Sequence, residues 1–308
     1  MRSVTSVQEL SKLGATAVTV GKFDGIHLGH QALLGELKLA ANQHSLTSVM
    51  VTFDRHPDAL LNPTNLKWPL IGPNQKAELV AEAGVDVLAT LAFDEVLAEQ
   101  TADEFVMQIL VDTLDAKIVI VGEDFRFGAG GAGSVATLHD LGQRLGFEVR
   151  VIASASVAGV KVSTSTIRDL LDSGDVAKAA SLLGRVHTTV GVVEHGLKIG
   201  RTIGFPTANM SREAEGYLPL DGVYAGWLVA DGVRYPAAHS VGINETFQAV
   251  PRLVESHVLD RKDLDLYDKV VTLEYVDFIR PSAKFDGVDA LIEEINRDLD
   301  KVRATFGL

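Results

Sequence analysis

The sequence predicts an α/β protein of two domains. The first is an N-terminal doubly wound parallel sheet, and the second is a small antiparallel β-barrel with a packed C-terminal helix. Strand-like and helix-like runs alternate through the first part, which is typical of a parallel sheet with helices on both faces. From His187 onward, strand-like runs and turn signals dominate, and an amphipathic helical pattern ends the chain. The length of 308 residues also favours two domains.

The strands of the parallel sheet are predicted from short apolar runs. They are Ala17–Val20, Ser48–Phe53, Val85–Phe93, Ile118–Gly122 and Phe147–Ala153. Helical patterns lie between some of them, at Asn74–Ala83 and Ala102–Leu114. Ligands bind such sheets beyond the carboxyl ends of the strands, so polar residues that follow strands are the first candidates for a site.

The domain boundary is predicted where the pattern changes. A short helical run, Val176–Leu183, stops at Gly184, which is a common residue just after a helix. We therefore expect domains of residues 1–184 and 185–308.

The clearest strand pairing predicted in the second domain is a β-hairpin. Asp231-Gly232 separates the runs Tyr224–Ala230 and Val233–Val241, and Asp-Gly favours a two-residue hairpin turn. Further elements are predicted at Leu253–Leu259 and Val270–Ile279, both strands, and at Val288–Phe306, the final helix.

Composition excludes several classes of protein. The chain has no cysteine, which excludes disulfides, thiolate metal sites and a catalytic thiol. Its formal net charge of −13 argues against a nucleic-acid-binding surface, although small anionic substrates remain possible. The N-terminus lacks an apolar signal core and the apolar runs are only strand-length, so we expect no membrane segment and a cytoplasmic location.

The most informative segment runs from Val20 to His30. It follows a predicted strand, opens a helical pattern, and contains Gly21, Gly25, Gly29 and two histidines three residues apart, His27 and His30. Unpaired N–H groups at a helix start favour anions, and imidazoles there can donate hydrogen bonds to phosphate oxygens. The segment predicts a phosphate-bearing ligand; the alternative is that the histidines only cap or pack the helix.

Three further clusters follow strands or open a helix. They are Thr52–Pro57, Gly122–Gly128 and Ser163–Arg168. Phe125 and Phe127, within the second, are equally compatible with a ligand contact and with the core. The loop Gly128–Gly133 has the spacing of a dinucleotide-binding loop, but no clear helix or ribose-binding acid follows, so we interpret it as a mobile glycine loop.

The second domain has its own candidate site in Gly200–Asn209. Glycines there can wrap phosphates, while Thr207 and Asn209 offer oxygens two residues apart that suit Mg²⁺-ATP. The alternative is a turn with capping residues. Glu255 lies in a predicted strand, where it is either a partly buried base or an ordinary sheet-surface carboxylate.

These motifs together resemble the bacterial bifunctional riboflavin kinase/FAD synthetase family. Residues 21–30 match G-K-F-D-G-x-H-x-G-H, an extended form of the nucleotidylyltransferase HxGH signature. The family's G-x-[N/D]-F-R-F-G motif matches Gly122–Gly128. Its F-x-P-H-P and S-S-T-x-I-R motifs correspond to Phe53–Pro57, where Arg55 replaces the proline, and to Ser163–Arg168, where the usual hydroxyl pair is swapped as Thr164-Ser165. The kinase signature G-R-T-x-G-F-P-T-A-N matches Gly200–Asn209, and the likeness continues at Gly222–Ala225, Val241–Phe247, Val254-Glu255 and Asp265–Tyr267.

The resemblance implies a nucleotidyltransferase-type sheet and a role for particular residues. In the first domain the implied catalytic residues are His27, His30 and Arg168. The implied nucleotide-binding residues there are Gly21, Phe23, Asp24, Gly29, Asp124, Ser163, Thr164 and Ser165, and the implied flavin-binding residues are Phe53, His56, Pro57, Phe125 and Phe127. In the second domain, the implied catalytic base is Glu255, and the implied flavin-binding residue is Asn244. The implied nucleotide-binding residues are Gly200, Arg201, Thr202 and Thr207, and the implied ligands of Mg²⁺ are Thr207 and Asn209.

The implied function is ATP-dependent phosphorylation of riboflavin to FMN, followed by adenylylation of FMN to FAD with release of pyrophosphate. ATP is the co-substrate in both steps, with Mg²⁺. The sequence departs from the family at Arg55, Leu197, Glu245 and Asp268. These departures keep two alternatives open: a paralogue with one active half or a different nucleotide or flavin preference, and a non-catalytic flavin-binding regulator.

Overall fold

A computed structural model describes residues 1–55, 68–196, 199–242, 252–261 and 263–308, without the side chains of residues 199 and 201. The predictions for His56, Pro57 and Asn244, and the departures Leu197 and Glu245, lie outside the described residues.

The described chain divides into two compact units. The sheet unit consists of Met1–Pro69 and Lys76–Val162, and the barrel unit consists of Leu70–Gln75 and Ser163–Leu308. Residues 163–184 therefore group with the barrel. The boundary between the two activities at 184/185 stays a prediction.

The sheet unit is built on a six-stranded sheet in which every described pairing is parallel. Its strands are β1 (Arg2–Val4), β2 (Thr16–Val20), β3 (Thr47–Phe53), β4 (Val87–Leu91), β5 (Ala116–Gly122) and β6 (Glu148–Ile152). They are ordered β1-β4-β3-β2-β5-β6, so the order reverses between β2 and β5. The five predicted strands are confirmed; β1 is a three-residue edge strand, too short to give a periodic signal.

Helices alternate with the strands of the first half. They are α1 (Val7–Leu10), α2 (Leu28–His44), α3 (Pro73–Glu82), α4 (Glu95–Glu99), α5 (Ala102–Phe105, continued as a π-helix over Val106–Thr113) and α6 (Val135–Leu145). A small hairpin of β7 (Ser156–Val157) and β8 (Val160–Lys161) follows β6.

One interpretation from the sequence is wrong. A helix, α6, does follow Gly128–Gly133, because Ser134 accepts a hydrogen bond from Thr137 N at 3.3 Å and closes a capping box with its side chain. The third helical residue is threonine rather than the usual acidic residue or glutamine, which weakened the signal.

The barrel unit is a closed antiparallel barrel ordered β10-β13-β12-β11-β14-β9. Its strands are β9 (His187–Glu194), β10 (Ala208–Met210), β11 (Gly222–Ala230), β12 (Val233–Gly242), β13 (Leu253–Val258) and β14 (Val270–Pro281). Its helices are α7 (Thr164–Asp172), α8 (Val176–Leu183), α9 (Ile199–Thr202) and α10 (Val288–Phe306). The predicted hairpin is confirmed, with Asp231 at φ +50° and Gly232 at φ +76°, as a mirror-image turn requires.

The C-terminal helix packs on the barrel as predicted. Leu299 and Val302 are buried against barrel residues, and the Trp227 and Phe306 ring centroids lie 4.5 Å apart. A largely buried ion pair joins Arg280 on β14 to Asp298 on α10 at 2.8 Å. The helix therefore covers one side of the barrel with both apolar and charged contacts.

Two fully buried histidines should make the barrel unit sensitive to acid. Burial lowers the pKa of His187 and of His239 to about 4, although each donates a hydrogen bond from Nε2 to a backbone carbonyl. The unfolded chain binds their protons near pH 6.5, so stability is full above that pH and is lost as the pH falls toward 4. Each histidine is expected to remove up to about 3 kcal/mol of unfolding free energy.

Urea unfolding followed by tryptophan fluorescence at pH 7.0, 5.5 and 4.5 measures this loss. His239→Gln should be less stable at pH 7 but should lose less stability on acidification than the parent chain. The exposed His139 offers a control, since His139→Gln should keep the parent's pH slope. An unchanged slope in His239→Gln would contradict the prediction.

Candidate active sites

The carboxyl ends of β3, β2 and β5 lie side by side at the point where the strand order reverses, which is where open α/β sheets bind ligands. The loop after β2 is strained at this point. Phe23 and Ile26 adopt φ of +47° and +40°, although both side chains are almost fully buried. A β-branched residue pays steric energy in this left-handed region, and such strain persists mainly where packing enforces it for function.

The first histidine of the loop caps a helix. His27 is the N-cap of α2, and its Nδ1 accepts a hydrogen bond from His30 N at 3.3 Å. A Cβ at Gly29 would lie 3.2 Å from His27 Cε1, so glycine leaves room for the imidazole. His27 therefore caps α2, and the cap fixes the ring at the strand-to-helix turn.

The second histidine lies directly on the first. The His27 and His30 rings stack with centroids 3.7 Å apart, and the Phe23 ring lies 5.0 Å from His30. Burial, with smaller contributions from His27 and Lys76, holds the pKa of His30 well below its ordinary value. His30 is therefore neutral at pH 7, and its Nδ1 is buried without a hydrogen-bond partner among the described residues.

Sequence reasoning missed a lysine at this loop. Lys76, on α3, donates from Nζ to Lys22 O at 2.9 Å and to Thr52 Oγ1 at 3.3 Å. Burial lowers its pKa, while the buried Asp24 acts in the opposite direction. A lysine in a helical pattern is usually interpreted as a solvated surface residue, so Lys76 gave no reason to assign it to a site. The sequence signal that could have found it is its position in the first turn of the helix, where the helix dipole disfavours a cation.

The aromatic residues of the other strand ends lie at the margin of the core. Phe53 packs edge-on to Phe93 with centroids 5.3 Å apart, and Phe125 stacks on Phe127 at 5.4 Å. Phe127 is buried in the core of the sheet unit, whereas Phe53 and Phe125 are partly buried against it. Of these predicted flavin contacts, Phe127 has the smallest accessible surface.

Asp124 and Arg55 are both exposed at the ends of strands. Asp124 forms an ion pair with Lys161 at 2.5 Å, and Arg55 lies 3.5 Å from the carboxylate of Asp54. An exposed pair of this kind contributes little stability, so the Asp124 carboxylate can change partners at small cost.

The Ser163–Arg168 motif belongs to the barrel unit. Ser163 caps α7 by accepting a hydrogen bond from Thr166 N at 3.2 Å, Thr164 is half-buried and Ser165 is exposed. Arg168 is buried, with its guanidinium carbon 5.8 Å from the centroid of the Tyr217 ring. The assignment of this motif to a nucleotide site stays a prediction from the resemblance.

The barrel brings three predicted kinase residues together. Asn209 on β10 pairs with Glu255 on β13, and Thr207 Oγ1 donates to Glu255 Oε2 at 3.3 Å. Burial raises the pKa of Glu255, against the hydrogen bond from Thr207. A half-buried carboxylate with a raised pKa favours the partly buried base over an ordinary surface carboxylate.

The donor set around Asn209 fits a hard cation. Asn209 Nδ2 donates to Thr207 O at 3.4 Å, so its amide oxygen and the Thr207 hydroxyl are the atoms suited to Mg²⁺. A Cβ at Gly196 would lie 2.5 Å from Asn209 Nδ2, so glycine there makes room for the amide. Within the described ranges, no cluster of three or more histidine or acidic residues could hold a metal on its own.

The glycine-rich segment before Thr207 contains the short helix α9. Phe205 N donates to Gly200 O at 2.7 Å, which closes the segment after α9, and Thr202 is exposed. Arg201 belongs to α9, but its side chain is outside the description. A pocket beside this segment is lined by residues that include Val193, Pro206, Thr207, Asn209, Leu266 and Tyr267.

One departure from the family has a backbone explanation. Asp268 adopts φ +60°, a left-handed conformation that glycine takes without strain and that aspartate tolerates better than most residues. The side chain is exposed in the turn before β14. A glycine at this position is therefore the easier residue for the turn.

No helix in the described part of the chain is both long and apolar enough to cross a membrane.

Comparison with known proteins finds two families in chain order. The sequence matches the family described as FAD synthetase over residues 10–166 and the riboflavin kinase family over residues 183–306. The bifunctional riboflavin kinase/FMN adenylyltransferase of Listeria monocytogenes is 35% identical, covering 94% of this chain and 92% of that protein. The protein of the same name from Escherichia coli K12 is 33% identical, covering 100% of this chain and 99% of that protein.

A solved structure supports the fold over the full length. It is described as a macrolide-efflux protein from Streptococcus pneumoniae, and it is 31% identical with a TM-score of 0.87 over 98% of both chains. The two family matches and the near-full-length curated relatives agree with each other. The chain belongs to the bifunctional riboflavin kinase/FMN adenylyltransferase family.

Proposed function

We propose that the barrel unit phosphorylates riboflavin with ATP to give FMN, and that the chain then adenylylates FMN with a second ATP to give FAD and pyrophosphate. The observation that carries the proposal is the cluster of Thr207, Asn209 and Glu255, which combines a half-buried carboxylate with oxygen donors. The strained loop that holds Phe23 and Ile26, directly before His27 at the switch point of the sheet, supports the second reaction.

In the kinase reaction, the riboflavin 5′-hydroxyl oxygen attacks the γ-phosphorus of ATP, and the bond from that phosphorus to ADP breaks. Glu255 takes the hydroxyl proton, and its raised pKa suits a base that must accept a proton near neutral pH. Thr207 and Asn209 would hold Mg²⁺, which would neutralise phosphate charge when bound.

In the adenylyl transfer, a phosphate oxygen of FMN attacks the α-phosphorus of ATP, and the bond to the pyrophosphate oxygen breaks. The attacking phosphate is already ionised, so alignment and charge stabilisation contribute more than proton transfer. His27 and His30 act as positioned hydrogen-bond donors to the phosphates. Arg168 and the hydroxyls of Ser163, Thr164 and Ser165 are assigned to pyrophosphate on the resemblance alone.

Product analysis tests the function directly. Purified protein with riboflavin, ATP and Mg²⁺ is expected to yield FMN and then FAD by chromatography, and supplied FMN should yield FAD and pyrophosphate. Formation of only one product would identify a paralogue with one active half, and flavin binding without either product would identify a regulator. CTP in place of ATP tests the nucleotide preference.

The surroundings of the reaction follow from its substrates. Riboflavin, FMN and ATP are small molecules, and the net charge of −13 gives no support to a nucleic-acid partner. We propose a cytoplasmic location because ATP, the co-substrate of both steps, is produced and held there.

A further inference from the structure

His30 brings little positive charge to the loop that follows β2. His30 is neutral at pH 7 because burial holds its pKa well below the ordinary value. A neutral imidazole donates a single hydrogen bond. In adenylyl transfer, negative charge grows on the leaving pyrophosphate, and charge-assisted hydrogen bonds stabilise it roughly twice as strongly as neutral ones.

Lys76 supplies a cation at the same loop. Its Nζ donates to Lys22 O at 2.9 Å, one residue before Phe23, and to Thr52 Oγ1 at 3.3 Å, at the end of β3. An ammonium has three N–H donors, so these two bonds leave one donor for another acceptor. Asp24 and His30 are the other groups of the loop that interact with its charge.

The two hydrogen bonds of Lys76 do not explain why a cation stands there, and the buried Asp24 is the group of the loop that stabilises its charge. The two hydrogen-bond partners are a neutral carbonyl and a neutral hydroxyl, which an uncharged donor would satisfy equally well. Burial disfavours the charged ammonium, and the dipole of α3 disfavours a cation in its first turn. A polyphosphate would offset both costs, because it would add negative charge to that of Asp24.

We propose that Lys76 is a phosphate-binding residue of the adenylyl-transfer site, where its third N–H donates to an oxygen of the nucleotide's polyphosphate. This role rests on the adenylyl transfer proposed above and adds to it a cation that the neutral His30 does not supply.

The test uses the absence of cysteine from the sequence. Lys76→Cys introduces a single thiol, and 2-bromoethylamine converts it to an ammonium side chain as long as lysine. Iodoacetamide gives a neutral adduct of similar bulk. The unmodified and the carbamoylmethylated Lys76→Cys proteins should form FAD from FMN at least ~100-fold more slowly than the parent. Aminoethylation should raise the rate of Lys76→Cys at least ~10-fold above that of the unmodified variant.

FMN formation from riboflavin in the same samples reports on folding and should change little. Lys178→Cys, at an exposed lysine of α8, gives the matched control for both reagents. The role of Lys76 would be overturned if the neutral adduct restored FAD formation as well as aminoethylation does, or if unmodified Lys76→Cys formed FAD at the parent's rate. Either result would leave the proposed adenylyl transfer intact. Absence of FAD with the unsubstituted chain would instead overturn the adenylyl transfer on which the role rests.

Discussion

Glu255→Gln is expected to slow FMN formation by about 10²–10⁴-fold, which is the usual contribution of a positioned general base. The amide keeps the shape of the side chain and can still meet the Thr207 hydroxyl, which lies 3.3 Å from Oε2. It cannot take the proton of the attacking hydroxyl. The loss should appear in kcat, with a small change in the KM for riboflavin, because the base acts in the transition state.

The pH dependence gives a second measure of the same role. The deprotonated carboxylate is the active form, so the rate of FMN formation should fall as the pH falls through the pKa of Glu255. Burial raises that pKa, so the acidic limb should lie above the range of an ordinary glutamate. The limb should be absent from the residual activity of Glu255→Gln.

Two controls accompany this substitution. FAD formation from supplied FMN should continue in Glu255→Gln, which shows that the chain is folded. Glu293→Gln, at an exposed carboxylate on α10, should retain the parent's FMN formation and its acidic limb. A Glu255→Gln protein that makes FMN within threefold of the parent would remove Glu255 from the mechanism.

His30→Ala is expected to slow FAD formation from FMN by about 10²–10³-fold, the usual cost of losing one preorganised donor. His30 is the better position to test than His27, because its ring does not cap α2. FMN formation should persist, which separates a local loss from general unfolding. Chromatography of both reactions on one sample measures the two rates.

The matched control lies on the same helix. His44→Ala removes an exposed histidine from the last turn of α2, where it contributes only a small interaction with the helix dipole. Its FAD formation should remain close to the parent's. If His30→Ala and His44→Ala have equal rates, His30 does not act in adenylyl transfer.

The sequence predicts the regular elements well where periodicity is strong. Strands such as β2 and β5 are largely buried on both faces, and the final helix repeats its apolar positions over nineteen residues. It fails where the signal is short, as for β1, or where the cap is unusual, as for α6. A closed barrel depends on pairings between distant strands such as β9 and β14, which no local pattern specifies.

The candidate sites show the same division. The histidines and the Thr207–Asn209 pair stand in dense local motifs, so the sequence finds them. Lys76 is 46 residues from His30 in sequence and reaches the loop from a different element, α3, with a hydrogen bond to Thr52 at the end of β3. A local sequence pattern shows that a lysine is present but cannot predict which loop its side chain contacts. Phe127 could be assigned to the core only after the packing around it was known.

The cap formed by His27 also affects how mutational surveys of this chain should be interpreted. The imidazole caps the N-terminus of α2 and also lies at the proposed site. A substitution at position 27 therefore lowers stability and activity together. A survey scored by protein abundance would rank position 27 as structural, and one scored by FAD production would rank it as catalytic. Position 30, which stacks on it without capping, is the neighbour that lets the two scores be told apart.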